Sequence, residues 1–198
     1  MELDHIAVSG ETLEEAAAHV EQALGVSLQP GGKHARFGTH NRLLGLEDGL
    51  YLEAIAVDPE APGPDMPRWF DLDRFQGSAR LTNWICRVPD IESATMPGGP
   101  VAPIDLDRGA LRWRMAVPPS GRLPFDNLYP ALIQWQGDLH PAAMLQASGC
   151  KLRRLVVYHP DALELARLLG SLELVAFDTG PASLRAEIDT PHGLRVLE

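Results

Sequence analysis

An ordered string of elements near the start of the chain limits its fold more than any single motif does. Ile6–Val8 reads as a short apolar strand. Thr12 and Glu15 have capping-box spacing, and Leu13, Ala16, Ala17, Val20 and Leu24 recur on one helical face before Gly25, a helix stop. Three strand candidates follow at 34–37, 42–46 and 50–57, with Gly31-Gly32 and Asp48-Gly49 marking turns. Strand, helix, then three strands predicts a mixed α+β fold with antiparallel neighbours. It argues against a doubly wound parallel sheet, which needs a long crossover between successive strands.

The end of the chain follows a similar order. Leu155–Tyr158 reads as a strand, Asp161 and Glu164 have cap spacing, and Leu165, Leu168 and Leu169 continue a helical face. Strand candidates at 172–177, 183–188 and 194–197 complete it. Between the two ends, 58–67 is polar and proline-rich, and Trp69, Phe70, Leu72 and Phe75 can dock a short segment. A strand at 81–88, a short helix capped by Asp90 and reaching Ala94, and strands at 111–117 and 130–135 come next. Met96–Pro103, with three prolines and two glycines, resists regular structure. These shifts divide the chain into 1–57, a linker and docking segment at 58–79, a divergent second unit at 80–145, and an extension at 151–198. The extension's short helix is marginal alone and its apolar strands need covering, so it is expected to pack on the main body and stabilise it.

Composition narrows the function. Across 198 residues, 17 basic against 27 acidic side chains give a net charge of -10, a poor match to nucleic acid or acidic membrane surfaces. No run is long enough to span a bilayer, and the acidic start is unlike a signal peptide. Cys86 and Cys150 form no disulfide framework, so the expectation is a cytoplasmic protein with free thiols. There is no phosphate loop, dinucleotide glycine fingerprint or HExxH motif, and no nucleotide cofactor is expected.

Several stretches resemble the glyoxalase-like domain family of the vicinal oxygen chelate superfamily. They are Leu3-Asp4-His5-Ile6-Ala7-Val8, Leu13-Glu14-Glu15-Ala16-Ala17, Ala23-Leu24-Gly25-Val26, Pro30-Gly31-Gly32-Lys33-His34, Gly38-Thr39-His40-Asn41 and Tyr51-Leu52-Glu53. Leu111–Pro118 and Leu132-Ile133-Gln134-Trp135 extend the likeness, which covers residues 3–145 and is most specific in the first unit. The resemblance implies paired βαβββ modules whose curved antiparallel sheets enclose a concave pocket. Relatives commonly hold a divalent metal there and act on adjacent oxygens, while others bind ligands without turnover. It further implies a small organic molecule as partner and leaves a homodimer open, because relatives can pair modules between chains.

In relatives a side chain on the first strand and a carboxylate on the fourth approach the metal. His5 and Glu53 match those positions and carry the catalytic assignment, with zinc, manganese, nickel or iron as the implied ion. In the second unit the matching first-strand position falls on Trp84, which cannot ligate, and Gln134 is the nearest match on the last strand, with His140 a few residues beyond. The metal set is therefore His5, Glu53, Gln134 and His140. Strand alternation puts Glu53 with Tyr51 and Ile55, company that favours a cavity over solvent.

The remaining candidates keep two readings. His34 and His40 would share a face on an unbroken strand and bind an anion or pass a proton, while Gly38 permits a bend that separates them. Asn41 can orient a carbonyl or cap a turn. Trp84, Trp113 and Trp135 read as a pocket wall or as core. Arg112 and Arg114, alternating with Trp113, suit recognition of a carboxylated aromatic ligand or simple snorkelling. Two functions follow: metal-assisted chemistry on a small organic molecule, or binding of an aromatic or hydrophobic molecule without turnover.

Overall fold

The computed structural model describes residues 1–99 and 101–198; the irregular 96–103 stretch includes Pro100, outside that set. β1 (Glu2–Ser9) leads into a helix, α1 (Leu13–Leu24), that is built as its sequence directs. Glu15 N–H donates to the Thr12 hydroxyl at 3.1 Å, and Thr12 N–H donates back to the Glu15 carboxylate at 3.2 Å. Such a cap contributes about 1 kcal/mol. Gly25 ends the helix at φ 73, a conformation that costs a side-chain-bearing residue more. Leu13, Ala16, Ala17, Val20 and Leu24 are its buried face.

β2 (Gln29–His34), β3 (Thr39–Gly45) and β4 (Tyr51–Val57) complete one half of an eight-stranded sheet. β5 (Arg80–Arg87), β6 (Pro103–Arg108), β7 (Leu111–Ala116) and β8 (Ala131–Gln136) form the other half. The order is β2-β3-β4-β1-β5-β8-β7-β6. β1 runs parallel to β4, β5 runs parallel to β8, and β1 meets β5 antiparallel at the centre with His5 opposite Ile85. The two end strands, β2 and β6, curl back against each other, so the mixed sheet is nearly closed around its concave face.

Two local expectations need correction. The strand expected at 34–37 ends at His34, and residues 35–38 are a turn with Gly38 at φ 58. Gly31-Gly32 lies inside β2, where the register against β3 slips between Pro30 and Lys33. A Cβ at Gly31 would sit 2.1 Å from the Asn41 amide oxygen, so the glycines make room for that side chain.

The short helix expected from Asp90 to Ala94 also does not form. Asp90 instead caps a bend through Glu92 N–H, and too few residues lie between Pro89 and Pro97 to propagate a helix. Where α1 covers the convex face of the first half, the second half is covered by a separate four-stranded sheet. That sheet, β9 (Lys151–Tyr158), β10 (Val175–Asp178), β11 (Ser183–Thr190) and β12 (Gly193–Leu197), has the order β10-β9-β11-β12. Its first strand pairs with both β10 and β11, unlike β1, which pairs with the last strand of its own half. The helix Ala162–Leu169 joins β9 to β10. β11 lies against β5, Phe177 reaches the Trp84 ring at 6.1 Å, and β12 lies against α1. No helix among the described residues is long and apolar enough to cross a membrane, and Cys86 and Cys150 are buried free thiols.

Candidate functional site

The concave face carries two different surfaces. On the first half, cross-strand register brings His5 beside Tyr51, Ala7 beside Glu53, Glu53 beside Leu43 and His34 beside Thr39, all on one side of the sheet. Alternation adds Asn41 to that side. On the second half the same face shows Ile85, Ile133, Trp135, Met115 and Trp113. His5, His34, Asn41, Tyr51 and Glu53 therefore look across a cavity at Trp113, Met115, Ile133 and Trp135, with Arg108 at one end.

Polar groups this buried need partners, and here they form a chain. Asp4 is fully buried and accepts from His5 Nδ1 at 2.7 Å, Trp135 Nε1 at 3.0 Å and His140 Nε2 at 3.1 Å. Burial opposes its ionisation, but the hydrogen bonds and charges of His140 and His5 prevail and hold its carboxyl well below the usual range. Asp4 thereby fixes a proton on His5 Nδ1 and turns Nε2 toward Glu53, whose Oε2 is 3.8 Å away. Tyr51 stacks on the His5 ring at 4.2 Å, and burial together with Asp4 and Glu53 pushes its phenol well up, so it stays neutral.

The network continues away from His5. Asn41 donates to Glu53 Oε1 at 2.5 Å and accepts from Gly32 N–H at 2.8 Å. His34 sits between Thr39 Oγ1, 3.0 Å from Nδ1, and Asn41 Nδ2 and Arg108, 3.4 and 3.3 Å from Nε2. Burial first, and then the charges of Arg108, His5 and His40, lower its pKa to about 3. His34 is thus neutral, with Nδ1 as donor and Nε2 as acceptor.

The 58–79 segment walls part of the cavity. Trp69 and Phe70 in a 3-10 turn, Trp69–Arg74, lie over it, with Trp69 stacked on Phe37 and edge-on to His34. Phe70 and Asp71 both have φ 59, a left-handed conformation that costs about 1–3 kcal/mol per residue. The neighbouring loop holds them there. Asp71 N–H donates to Gly121 O at 3.0 Å and Asn127 donates to Phe70 O at 3.1 Å. With Trp69 and Phe70 in these positions the cavity is narrow and partly open to solvent.

His5, Glu53, His34, Asn41, Trp113 and Trp135 come together here. His40 does not. It pairs with Lys33 on the opposite face from His34, because the Gly38 turn changes the parity between them. Trp84 also points away, its indole donating to Leu128 O at 2.8 Å on the convex side. The residues that occupy the places of His5 and Glu53 in the second half are Ile85 and Ile133, one position from Trp84 and Gln134. A one-residue shift moves a side chain to the other face.

The expected four-ligand metal centre is accordingly not assembled. Gln134 holds the 89–91 loop, donating to Pro89 O at 2.7 Å and accepting from Ile91 N–H. His140 binds Asp4 and, through Nδ1, the N–H of Ala142. Among the described residues no three His, Cys, Asp or Glu side chains are grouped to hold a metal. The donor chemistry agrees, because isoleucines stand where the second pair of ligands would be and a guanidinium borders the first. Arg112 and Arg114 turn outward to Asp107 and to Asp105 and Glu92. Asp4 and Arg108 escaped the sequence reading, which put Tyr51 on the face of Glu53 without a role and read Trp69 and Phe70 as a docking segment without placing them at the cavity. Asp4 had one local signal, its place beside His5; Arg108 had none.

Residues 3–173 match the family model of the Glyoxalase-like domain. No curated protein matches the chain in sequence. Among solved structures, a hypothetical protein from Staphylococcus aureus is 15% identical, with 92% of this chain and 87% of that one covered at TM-score 0.65, a likeness of fold. Methylmalonyl-CoA epimerase from Mycobacterium tuberculosis is 17% identical, with 72% of this chain and 91% of that one covered at TM-score 0.44.

Proposed function

The chain belongs to the glyoxalase-like domain family, and from that premise we propose that its concave cavity binds a small organic molecule and moves a proton on it. The observation that carries this reading is the line Asp4–His5–Glu53. A buried carboxylate that orients an imidazole leaves the far nitrogen as an aimed acid–base group. At 3.8 Å, His5 Nε2 and Glu53 Oε2 are too far apart to satisfy one another directly. A ligand oxygen or an acidic C–H between them is within reach of both. Asn41 steadies Glu53, Tyr51 supports the His5 ring, and the Trp69–Phe70 cover excludes water once the ligand is seated. No step in this reading passes through a metal.

The test is deuterium exchange into small carbonyl compounds bearing an α-hydrogen, followed by proton NMR in D2O. The protein should accelerate exchange, and Glu53→Gln and His5→Asn should each remove about 10²–10⁴-fold of the acceleration. Exchange that survives both substitutions refutes the assignment. The second reading, sequestration of an aromatic or hydrophobic molecule, is favoured by the tryptophans at 69, 113 and 135 around the cavity. Tight binding with no exchange would select it.

A further inference from the structure

We propose that Arg108 is the anion anchor of this cavity and that the ligand is a small organic acid, its carboxylate held by the guanidinium and its carbon skeleton laid against Trp113 and Trp135. The inference rests on the reading of the cavity as a ligand site and adds the chemical class that fits it. Arg108 is the last residue of β6 and reaches across the seam where the sheet nearly closes, to β2 and β3. Its stem crosses Gly32, where a Cβ would sit 2.7 Å from Arg108 Cδ and would displace the arginine from this position.

What the guanidinium touches there is neutral. One terminal nitrogen donates to the Asn41 amide oxygen at 3.2 Å and to His34 Nε2 at 3.3 Å. The other terminal nitrogen and Nε make no hydrogen bond with the described residues, and no carboxylate among them is within ion-pair range. Neighbouring arginines differ: Arg114 is paired with Glu92 at 2.6 Å and with Asp105 at 3.1 Å.

Asn41 explains why the cavity's own carboxylate does not quench this charge. Its amide donates to Glu53 and its oxygen accepts from Arg108, so it stands between two groups that would otherwise ion-pair in a low dielectric. His34, kept neutral by burial and by Arg108 itself, accepts rather than competes. A planar guanidinium with two free donor nitrogens, set in an aromatic cavity, matches a carboxylate that can accept two parallel hydrogen bonds. Bound in this way, the acid's carboxylate would lie at the Arg108 end and its adjacent carbon would extend toward His5 and Glu53.

The experiment is an NMR titration of the full chain with benzoate and with benzamide, its neutral analogue of the same shape. The indole N–H signals of Trp113 and Trp135 report on the cavity, and Trp84, on the other face, serves as the internal reference. Benzoate should bind at least about tenfold more tightly than benzamide, as a charge-assisted contact implies. Arg108→Gln should abolish that preference while benzamide binding stays within about twofold, and Arg108→Lys should keep part of it. Circular dichroism of both variants confirms that they are folded, and the lysine variant decides the matter if the glutamine variant is not. Equal affinity for the two probes, or a preference that survives Arg108→Gln, overturns the anion assignment and leaves the cavity reading standing. If neither probe moves the Trp113 and Trp135 signals in the unaltered protein, both readings fall.

Discussion

The two halves of the eight-stranded sheet share a pairing plan and differ in what they show the cavity. β1 runs parallel to β4 as β5 does to β8, and His5 sits directly opposite Ile85. One half presents imidazole, amide and carboxylate; its counterpart presents isoleucine, methionine and tryptophan. Their outer faces differ too, one covered by α1 and the other by the four-stranded C-terminal sheet. The same backbone plan therefore supports a polar wall and an apolar one. The acid–base groups sit on the polar wall, and the apolar half supplies shape, a low dielectric and, from the end of β6, Arg108.

The sharpest way to break the comparison is to remove the C-terminal sheet, which covers the second half and also packs β12 against α1. Deleting 151–198 uncovers Trp84 and the face of β5, and should abolish the cooperative thermal transition and raise binding of a hydrophobic dye. A truncated chain that melts as cooperatively as the intact one would show that the second half stands alone. Next in size is Asp4→Ala. It strands the donors of His5, Trp135 and His140 and should cost about 3–5 kcal/mol in denaturant unfolding.

A double substitution, Ile85→His with Ile133→Glu, would give the second half the polar pair of the first. Two polar groups replacing well-packed isoleucines should destabilise the fold by about 2–5 kcal/mol. If the missing ligands are what the metal centre lacks, the double variant should take up a divalent ion measurable by elemental analysis. Uptake equal to that of the unaltered chain would place the obstacle elsewhere, with Arg108 the first suspect.

The last test is a pH slope. His34 has a folded pKa of about 3, below the ordinary histidine value of 6.5. Between those values the unfolded chain binds a proton that the folded chain does not, so stability falls as pH drops, by about 1.4 kcal/mol per pH unit within the window. His34→Gln should flatten unfolding free energies measured from pH 6 to pH 4. An unchanged slope would mean that His34 protonates freely in the folded protein. The depressed Asp4 value works below that window: its stabilisation is present above the ordinary carboxylate pKa and is lost as pH falls toward the folded value.

What could be read from the sequence alone was local. The Thr12–Glu15 cap, the buried stripe of α1 and the Gly25 stop are each decided within a few residues, because caps and helical periodicity depend on neighbours one turn away. The order of elements set the fold class for the same reason. Alternation around Glu53, joined to the family likeness, was enough to bring His5 and Glu53 to one face. Tertiary structure decided the rest. Whether His34 or His40 faces the cavity depends on the parity of a turn, and whether Trp84 or Ile85 does depends on a single step of register. His140 was drawn off to Asp4, 136 residues away in the chain, by hydrogen bonds that only packing could offer. Arg108 meets Asn41 and His34 only because a sheet of eight twisted strands curls until its first and last edges touch, and no local pattern in the chain encodes that closure.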